Sequence, residues 1–513
     1  MKRFRYKLIT LAMVLSLTAT FSCSEYLNAP LENQILADDT DYSQSQNMVL
    51  LLNGSYAKFY DFEWETYPLI SVRGDDVNPA GDQQVLFDTD EYNYGRSFWI
   101  YNSTWLNFYS DIMYWNGAIE EIRKYQEAGA SASNAEQYIA EIKVMKGYNM
   151  LQLARLWNDI LIPLSSDPND LYEVELTPFN DVMQYISDQM DEAIPNLPNI
   201  RPNQRTDITG GVTRYTALAV KALANLEMGN YQATAEATGT IIGSGEFMLE
   251  QDYYQLFKIP GKLNSENLLE FQYSDYGAES GTSEKFPWQV YGPQAVGWQP
   301  AVPESAGGWG FWEPTEKYIK FMLDRNDRKR LATTVLFTPD GISDIEADPD
   351  YADLPNWVTN VTPDGDTFGN APRYKFLSGK HYLPTTQLTP GRFNYGENKN
   401  MIAIRYAEIL LVHAEALVSG ASSSVMSADE AVNAVRSRAN LGTLSGVTLD
   451  DVLDEKFAEF GMEWGVRFFD LVRHGQTDDL SYEGRSYQEG DRFLPYPLDQ
   501  VDILPQLQEA SNQ

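Results

Sequence analysis

Apolar positions along this chain repeat mainly with helical period. Trp105, Phe108, Ile112, Trp115 and Ile119 recur at steps of three and four residues, and Ile122 extends the stripe. A second stripe runs through Tyr138, Ile142, Met145, Tyr148, Leu151 and Leu156 and ends before Pro163. A third, from about Phe179 to Ile194, carries Val182, Tyr185, Ile186 and Met190 and stops at Pro195, where the helix loses a donor. From Thr213 the spacing predicts two helices joined by Gly229-Asn230. Alanines fill their facing positions (Ala217, Ala219, Ala222, Ala224, then Ala233 and Ala237), so the pair can nest closely.

That alanine-faced pair resembles a tetratricopeptide hairpin, without its strict consensus; a generic helical bundle is the alternative. Between about Ser274 and Trp312 the period gives way to Gly, Pro, Ser and aromatics, a loop longer than a compact domain normally keeps without a use for it. A second irregular stretch, rich in Pro, Asp and Gly, runs from about Thr338 to Arg392. Helical period returns through Ile404, Ala407, Leu410, Leu411, Ala414, Leu417 and Val418, and Gly420 ends it. Ser427-Ala-Asp-Glu430 has the order of a capping box and opens the helix AVNAVRSRANL. A last helix is expected to place Phe457, Phe460, Trp464, Phe468 and Leu471 on one stripe. The fold class expected is mostly α: tetratricopeptide-like hairpins with a loop-rich second half.

The N-terminus changes the picture of location. Residues 2–7 are basic, Leu8 to Leu17 form an apolar run, and Ser22 precedes Cys23, the only cysteine of the chain. This is the layout of a bacterial lipoprotein leader, so residues 1–22 are expected to be a signal peptide and Cys23 the lipidated N-terminus. Thr20 and Phe21 stand where a lipobox usually has leucine and a small residue, and an ordinary secretory signal is the alternative. Residues 23–41 read as an extended acidic tether. The body then divides into an N-terminal helical part, 42–272, and a C-terminal part with the ligand loops, 273–513.

Composition removes several functions. The chain has 38 basic and 73 acidic residues, a formal net charge of −35, and loss of the leader, with four basic and no acidic residues, deepens this to about −39. Nucleic-acid binding needs a basic patch that displaces counterions, and anionic lipid would repel this surface. Membrane attachment therefore rests on the lipid, and more than one acyl chain is needed. No phosphate loop, nucleophile elbow or dinucleotide fingerprint occurs, so no cofactor is expected. The three histidines, His381, His413 and His474, lack metal-ligand spacing, and no second cysteine exists for zinc. Asp75, Asp76 and Asn78, and Asp364 and Asp366, cluster oxygens without completing an EF-hand, and acidic surface loops explain them. No metal site is expected.

Several segments, in order, resemble the SusD/RagB family of outer-membrane nutrient-binding lipoproteins of Bacteroidota. They are CSEYLNAP from Cys23, NGSYAKFY from Asn53, GYNMLQLARLWNDILIPL from Gly147, SENLLEFQY from Ser265 and the DRNDRKR run from Asp324. The strongest lie near the C-terminus: IRYAEILLVHAEAL from Ile404, AVNAVRSRANL from Ala431, EFGMEWGVRFFDLVRHG from Glu459 and FLPYPLDQ from Phe493. The resemblance implies a mostly helical fold, a lipid-anchored protein exposed at the cell surface, and a non-catalytic role. Such a protein captures oligosaccharide and passes it to a SusC-like TonB-dependent transporter, over which it acts as a lid. Glu25 after Ser24 weakly resembles the surface-export signals of these bacteria. Peptide or another nutrient as cargo, a glycoside hydrolase, and a tetratricopeptide adaptor remain alternatives; the last leaves the aromatic loops unexplained.

Within the motifs, Glu408, Glu415, Arg436, Arg438, Glu463, Arg467, Asp470 and Arg473 invite a catalytic reading. Arginine cannot move protons, and Glu463–Arg467 and Asp470–Arg473 have the spacing of pairs along one helix. They are expected to lock helices together, with His474 as a C-terminal cap or packing residue, and no catalytic residue is assigned. Trp288, Tyr291, Trp298, Trp309, Phe311 and Trp312 fall where no periodic face needs them. Sugar rings present C–H faces that stack on flat aromatics, and their hydroxyls need polar side chains. Trp288, Tyr291, Trp298, Trp309 and Trp312 are therefore candidate ligand contacts. Asp75, Asn78 and Trp99, in a patch with Arg73, Tyr94 and Phe98, form a second group. The alternative for each ring is that it pins the loop to the helical body.

Overall fold

The computed structural model describes residues 40–510, apart from 62, 275–286, 295, 303, 304, 306, 392–394, 396 and 397. Cys23, the leader and the tether up to residue 39 lie outside them. The apolar stripes fold as helices: α1 (Met48–Tyr60), α2 (Trp99–Glu127), α3 (Ala132–Trp157), α4 (Phe179–Ala193), α5 (Arg214–Glu227) and α6 (Tyr231–Gly243). Four more follow in the second half: α7 (Tyr406–Val418), α8 (Ala428–Arg438), α9 (Leu449–Phe460) and α10 (Val466–His474). From α1 to α7 each helix packs on the next, as helical hairpins do when stacked side by side. Small residues permit the close approach: Ala217, Ala219, Ala222 and Ala224 of α5 are buried, and Gly147 of α3 sits against Met190 and Ile186 of α4 and Val220 of α5. The Ser427 hydroxyl accepts from the Glu430 amide while Glu430 accepts from the Ser427 amide, the capping box read in the sequence.

Short antiparallel strand pairs stitch the loop-rich part onto these helices. β1 (Val77–Pro79) pairs with β3 (Trp312–Pro314), β2 (Asn267–Phe271) with β6 (Met401–Arg405), and β4 (Val335–Phe337) with β5 (Phe376–Ser378). A large hydrophobic core runs from Met48 to Leu507 and draws on both halves of the chain.

Three sequence expectations fail. The stretch from about Ser274 to Trp312, read as loop, contains the short helix Pro287–Tyr291. The stretch from Thr338 to Arg392, read as irregular, contains the helix Pro339–Glu346 and strand β5. The Thr338 hydroxyl caps that helix at the Gly341 amide, and Pro339 occupies its first position, where no donor is missed. The single stripe from Phe457 to Leu471 is instead split between α9 and α10. Met462, Trp464 and Gly465 have φ of 71°, 49° and 65°. Tertiary bonds hold this break open: the Tyr67 hydroxyl donates to Met462 O at 2.6 Å, the Asp76 carboxylate accepts the Met462 amide at 2.8 Å, and Trp464 Nε1 donates to Ile402 O at 2.7 Å. Glu463 and Arg467 consequently do not share a helix and do not pair with each other; Glu463 meets Arg405 and Lys380, and Arg467 meets Asp75 and Asp479.

Most of the other charged motif residues do link elements, from the inside. Arg405 of β6 is 1 % exposed and bonds Glu463 Oε2 at 2.9 Å, Glu266 Oε1 at 3.1 Å and Glu459 O at 2.9 Å, with a further bond to the Glu459 carboxylate. Arg438 shares Glu266 and Glu459, and Arg330 reaches Glu455 and Glu459. A second knot joins α7, α9 and α10: Glu415 meets Lys456, Arg473 and His474, and Asp470 meets Lys456 and Arg473. Positive neighbours, outweighing burial, hold the Glu415, Glu459 and Glu463 carboxyls below their usual range.

Glu408 behaves differently. It is buried on α7, and burial pushes its carboxyl up to about 7 despite Lys456, Arg155 and Arg405 nearby. Between about pH 4.5 and 7 the folded chain keeps a proton that the unfolded chain releases, so this group costs stability as pH rises. Glu408→Gln cannot ionise. Its stability relative to the parent should therefore grow across that window, by about 3 kcal/mol at most, in urea titrations at pH 4.5 and 8.

Candidate functional site

The aromatic residues of the irregular segments separate into buried anchors and exposed faces. Trp288, Tyr291, Trp298 and Trp312, named as candidate ligand contacts with loop-pinning as the alternative for each, are buried. Trp288 Nε1 donates to Lys399 O at 2.8 Å. Trp298 stacks on Phe368 at 5.6 Å and meets Tyr382 and Tyr395 edge-on. Trp312, in β3, packs on Tyr67 and Tyr291. These rings pin the loops to the body because the body supplies apolar partners for them and solvent does not. Asp75 is also buried, held by Arg467 Nε at 2.9 Å and Lys317 at 2.7 Å, and half-buried Asn78 accepts from Arg485 at 2.6 Å. As they stand, the four rings and Asp75 present no open face to a carried molecule.

Trp99 and Trp309 are the contrary case, 46 % and 42 % exposed. They are brought to one surface by two rings between them: Trp64 lies 5.9 Å from Trp99 and 6.4 Å from Phe311, and Phe311 lies 5.8 Å from Trp309, centroid to centroid. Trp64, Trp99, Phe311 and Trp309 thus form a chain of mutually tilted ring contacts drawn from three distant parts of the sequence, in which Trp99 and Trp309 are open, Trp64 is half-buried and Phe311 is a buried link.

Each ring is set by its local backbone. Phe98 is extended, φ −66° and ψ 120°, and launches α2 so that Trp99 occupies its first position. Trp64 is steadied by the buried Tyr291, whose hydroxyl donates to Trp64 O at 2.7 Å. The Trp309–Phe311 loop is fixed by backbone bonds from Gly310 N to Gly292 O at 2.9 Å, Phe311 N to Val290 O at 3.0 Å and Ala80 N to Phe311 O at 2.9 Å. Beside the rings, the buried Glu65 carboxylate accepts from Ser103 at 2.5 Å, and the Arg373 guanidinium sits 5.7 Å from the Phe311 centroid while pairing with Asp82.

Gly81 matters here for a stated reason. Its φ is +86°, and a Cβ would run into the Phe311 ring. Gly81→Ala should destabilise the chain by about 1–2 kcal/mol in denaturant unfolding, from backbone strain alone. It should also shift Phe311 and weaken whatever Trp99 and Trp309 hold.

Trp99, Trp309 and Phe311 stand out in the sequence, and Trp64 does not. Nothing around Trp64 marks it, since its role depends on Tyr291, 227 residues away. Arranged this way, the site offers flat apolar faces with hydrogen-bonding groups at the margin, chemistry for holding a ring-shaped polar molecule by stacking. Among the described residues no group of three or more His, Cys, Asp or Glu side chains is placed to hold a metal ion.

Comparisons with known proteins agree with this architecture. A SusD-like protein of Bacteroides ovatus is 22% identical over 496 residues, covering 91% of this chain and 82% of that protein. A laminarin-binding SusD-like protein of known structure superposes with a TM-score of 0.73 at 21% identity, covering 90% of this chain and 97% of that one. Surface glycan-binding protein A from Bacteroides thetaiotaomicron, solved with laminarihexaose, gives 0.71 at 20% identity, covering 89% and 97%. The family model for SusD matches residues 222–501, more than half of the sequence, and the chain belongs to the SusD family.

Proposed function

We propose that this protein binds an oligosaccharide on the exposed faces of Trp99 and Trp309, backed by Trp64 and the buried Phe311, leaves it uncleaved, and delivers it to a SusC-like TonB-dependent transporter. The observation that carries the reading is the pair of half-exposed tryptophans, Trp99 and Trp309, joined by two further rings into one surface. Exposing two indoles to water is unfavourable for a monomer, and a stacked ligand removes the cost. The relatives named for laminarin and laminarihexaose support a glycan as that ligand.

In this reading the protein stands at the outer surface of the outer membrane, held by lipid on Cys23. Among the described residues no helix is long and apolar enough to cross a membrane. Attachment would fall to Cys23, and Cys23→Ala should release the protein into the soluble fraction. Family membership supports the transporter as partner, and co-purification from the outer membrane tests it.

The binding reading is tested by retention of a glycan panel together with a product assay. Expected is retention without shortening of the sugar, lost by about tenfold or more in Kd in Trp99→Ala/Trp309→Ala. Cleavage would make the protein a hydrolase. Retention of peptides in place of glycans would change the cargo.

A further inference from the structure

Trp357 differs from every other tryptophan of the chain. Each of the others meets at least one aromatic ring, whereas Trp357 meets none among the described residues. It is half-buried against the smaller core that includes Leu331 and Val335. It also walls two adjoining cavities of about 310 and 700 Å³, which share Arg328, Ala332, Trp357 and Pro363. Cavities of that size suit a small ligand, and an indole in the wall offers one a flat apolar face.

The polar groups around this indole have unused hydrogen-bonding capacity. Trp357 Nε1 and the carboxamides of exposed Asn326 and Asn440 make no hydrogen bond among the described residues. Both asparagines line the larger cavity. Their φ values are 52° and 62°, and each stands just past a helix end, after the helix Glu316–Asp324 and after α8. A carboxamide both donates and accepts, as a sugar hydroxyl does.

Charge sets the cleft apart from the rest of a chain whose formal net charge is −35. Arg328 and Lys329 line it against one carboxylate, Asp252, whose Oδ1 accepts the Gln255 amide at 3.1 Å. Neither cation has an acidic partner in ion-pair contact among the described residues. Lys329 Nζ donates to two carbonyls, Gln251 O at 2.7 Å and Arg438 O at 2.8 Å. The exposed Arg328 guanidinium has no hydrogen bond and stands 5.8 Å from the Trp357 ring centroid, the outer limit of a cation–π contact. The indole face is therefore not sealed, and the donors of Arg328 are open to a ligand.

We infer that this cleft is a second saccharide site, separate from Trp99 and Trp309, and that it takes a sugar unit bearing a carboxylate. The C–H face of the sugar lies on Trp357, its hydroxyls meet Asn326, Asn440 and the indole N–H, and its carboxylate pairs with Arg328. A guanidinium holds a planar carboxylate by two parallel bonds, which an ammonium does not. The cleft rests on the function proposed above only for the glycan class of its ligand, and it shares no residue with the Trp99–Trp309 surface.

The test uses tetragalacturonate and its fully methyl-esterified, neutral form. Affinities are measured by calorimetry at low salt on the full chain carrying Trp99→Ala/Trp309→Ala, so that the cleft alone is read. Tetragalacturonate should bind about tenfold or more tightly than the neutral ester, and should lose about tenfold or more when Arg328→Gln or Trp357→Ala is added. Arg328 is exposed and makes no ion pair, so its variant folds as the parent does and carries the test even if Trp357→Ala does not fold. No tetragalacturonate binding in this background, equal binding of the two probes, or an affinity unchanged by Arg328→Gln overturns the cleft assignment and leaves the Trp99–Trp309 reading standing. That reading falls separately, if Trp99→Ala/Trp309→Ala binds the neutral glycans retained by the parent as well as the parent does.

Discussion

Arg405→Ala should cost about 3–5 kcal/mol, because Glu266, Glu459 and Glu463 lose the one buried cation that all three share, while Arg438, Arg330 and Lys380 each reach only one or two of them. A domain has only about 5–15 kcal/mol to lose. The variant is expected to unfold at markedly lower guanidinium concentration or to fail to accumulate as soluble protein. Arg405 cannot be replaced by lysine without loss either. Its three nitrogens together reach Glu266 just before β2, Glu459 on α9 and Glu463 in the break before α10, and its guanidinium lies 4.4 Å from the Phe460 ring, whereas an ammonium is a single point charge. Arg405→Lys should fall between parent and alanine in the same titration.

Trp312→Ala should be comparably severe, about 3–5 kcal/mol, since the ring is fully buried between Tyr67 and Tyr291 and its removal leaves a cavity. Trp298→Ala should follow it, for the same reason against Phe368 and Tyr382. Trp99→Ala and Trp309→Ala should each move stability by less than about 1 kcal/mol, because half of each ring already faces water. Thermal unfolding of the four variants side by side therefore sorts anchors from exposed faces. A Trp312→Ala protein as stable as the parent would contradict the burial on which this division depends.

Helices were legible in the sequence wherever packing repeats every three to four residues over several turns, as in α2 through α7. Legibility failed where long-range bonds decide the backbone. Met462 and Trp464 continue a helical stripe by spacing, yet Tyr67 and Asp76, nearly 400 residues earlier, pull the chain out of the helix there. The helix Pro339–Glu346 could have been found from Thr338 and Pro339, which carry the ordinary signals of a helix start. The composition of its surroundings hid it.

Loop tryptophans without a periodic face suggested stacking, but the sequence did not separate the buried Trp288, Trp298 and Trp312 from the open Trp309. Which rings face outward is set by tertiary partners that spacing does not report: Trp298 finds Phe368, Trp288 finds Lys399, and Trp309 finds only Phe311 among the ring contacts of the described residues. The cluster of Asp75 and Asp76, expected to be an acidic surface loop, is instead buried and clamps Arg467 and the Met462 amide.

The most direct measurement of the central claim is the affinity of the parent and of Trp99→Ala/Trp309→Ala for a glycan that the parent retains, with thermal unfolding of both and chromatography of the sugar afterwards. The account predicts a loss of about tenfold or more in Kd with nearly unchanged unfolding and a sugar recovered at full length. Equal affinity in the two proteins, or a shortened sugar, would contradict it.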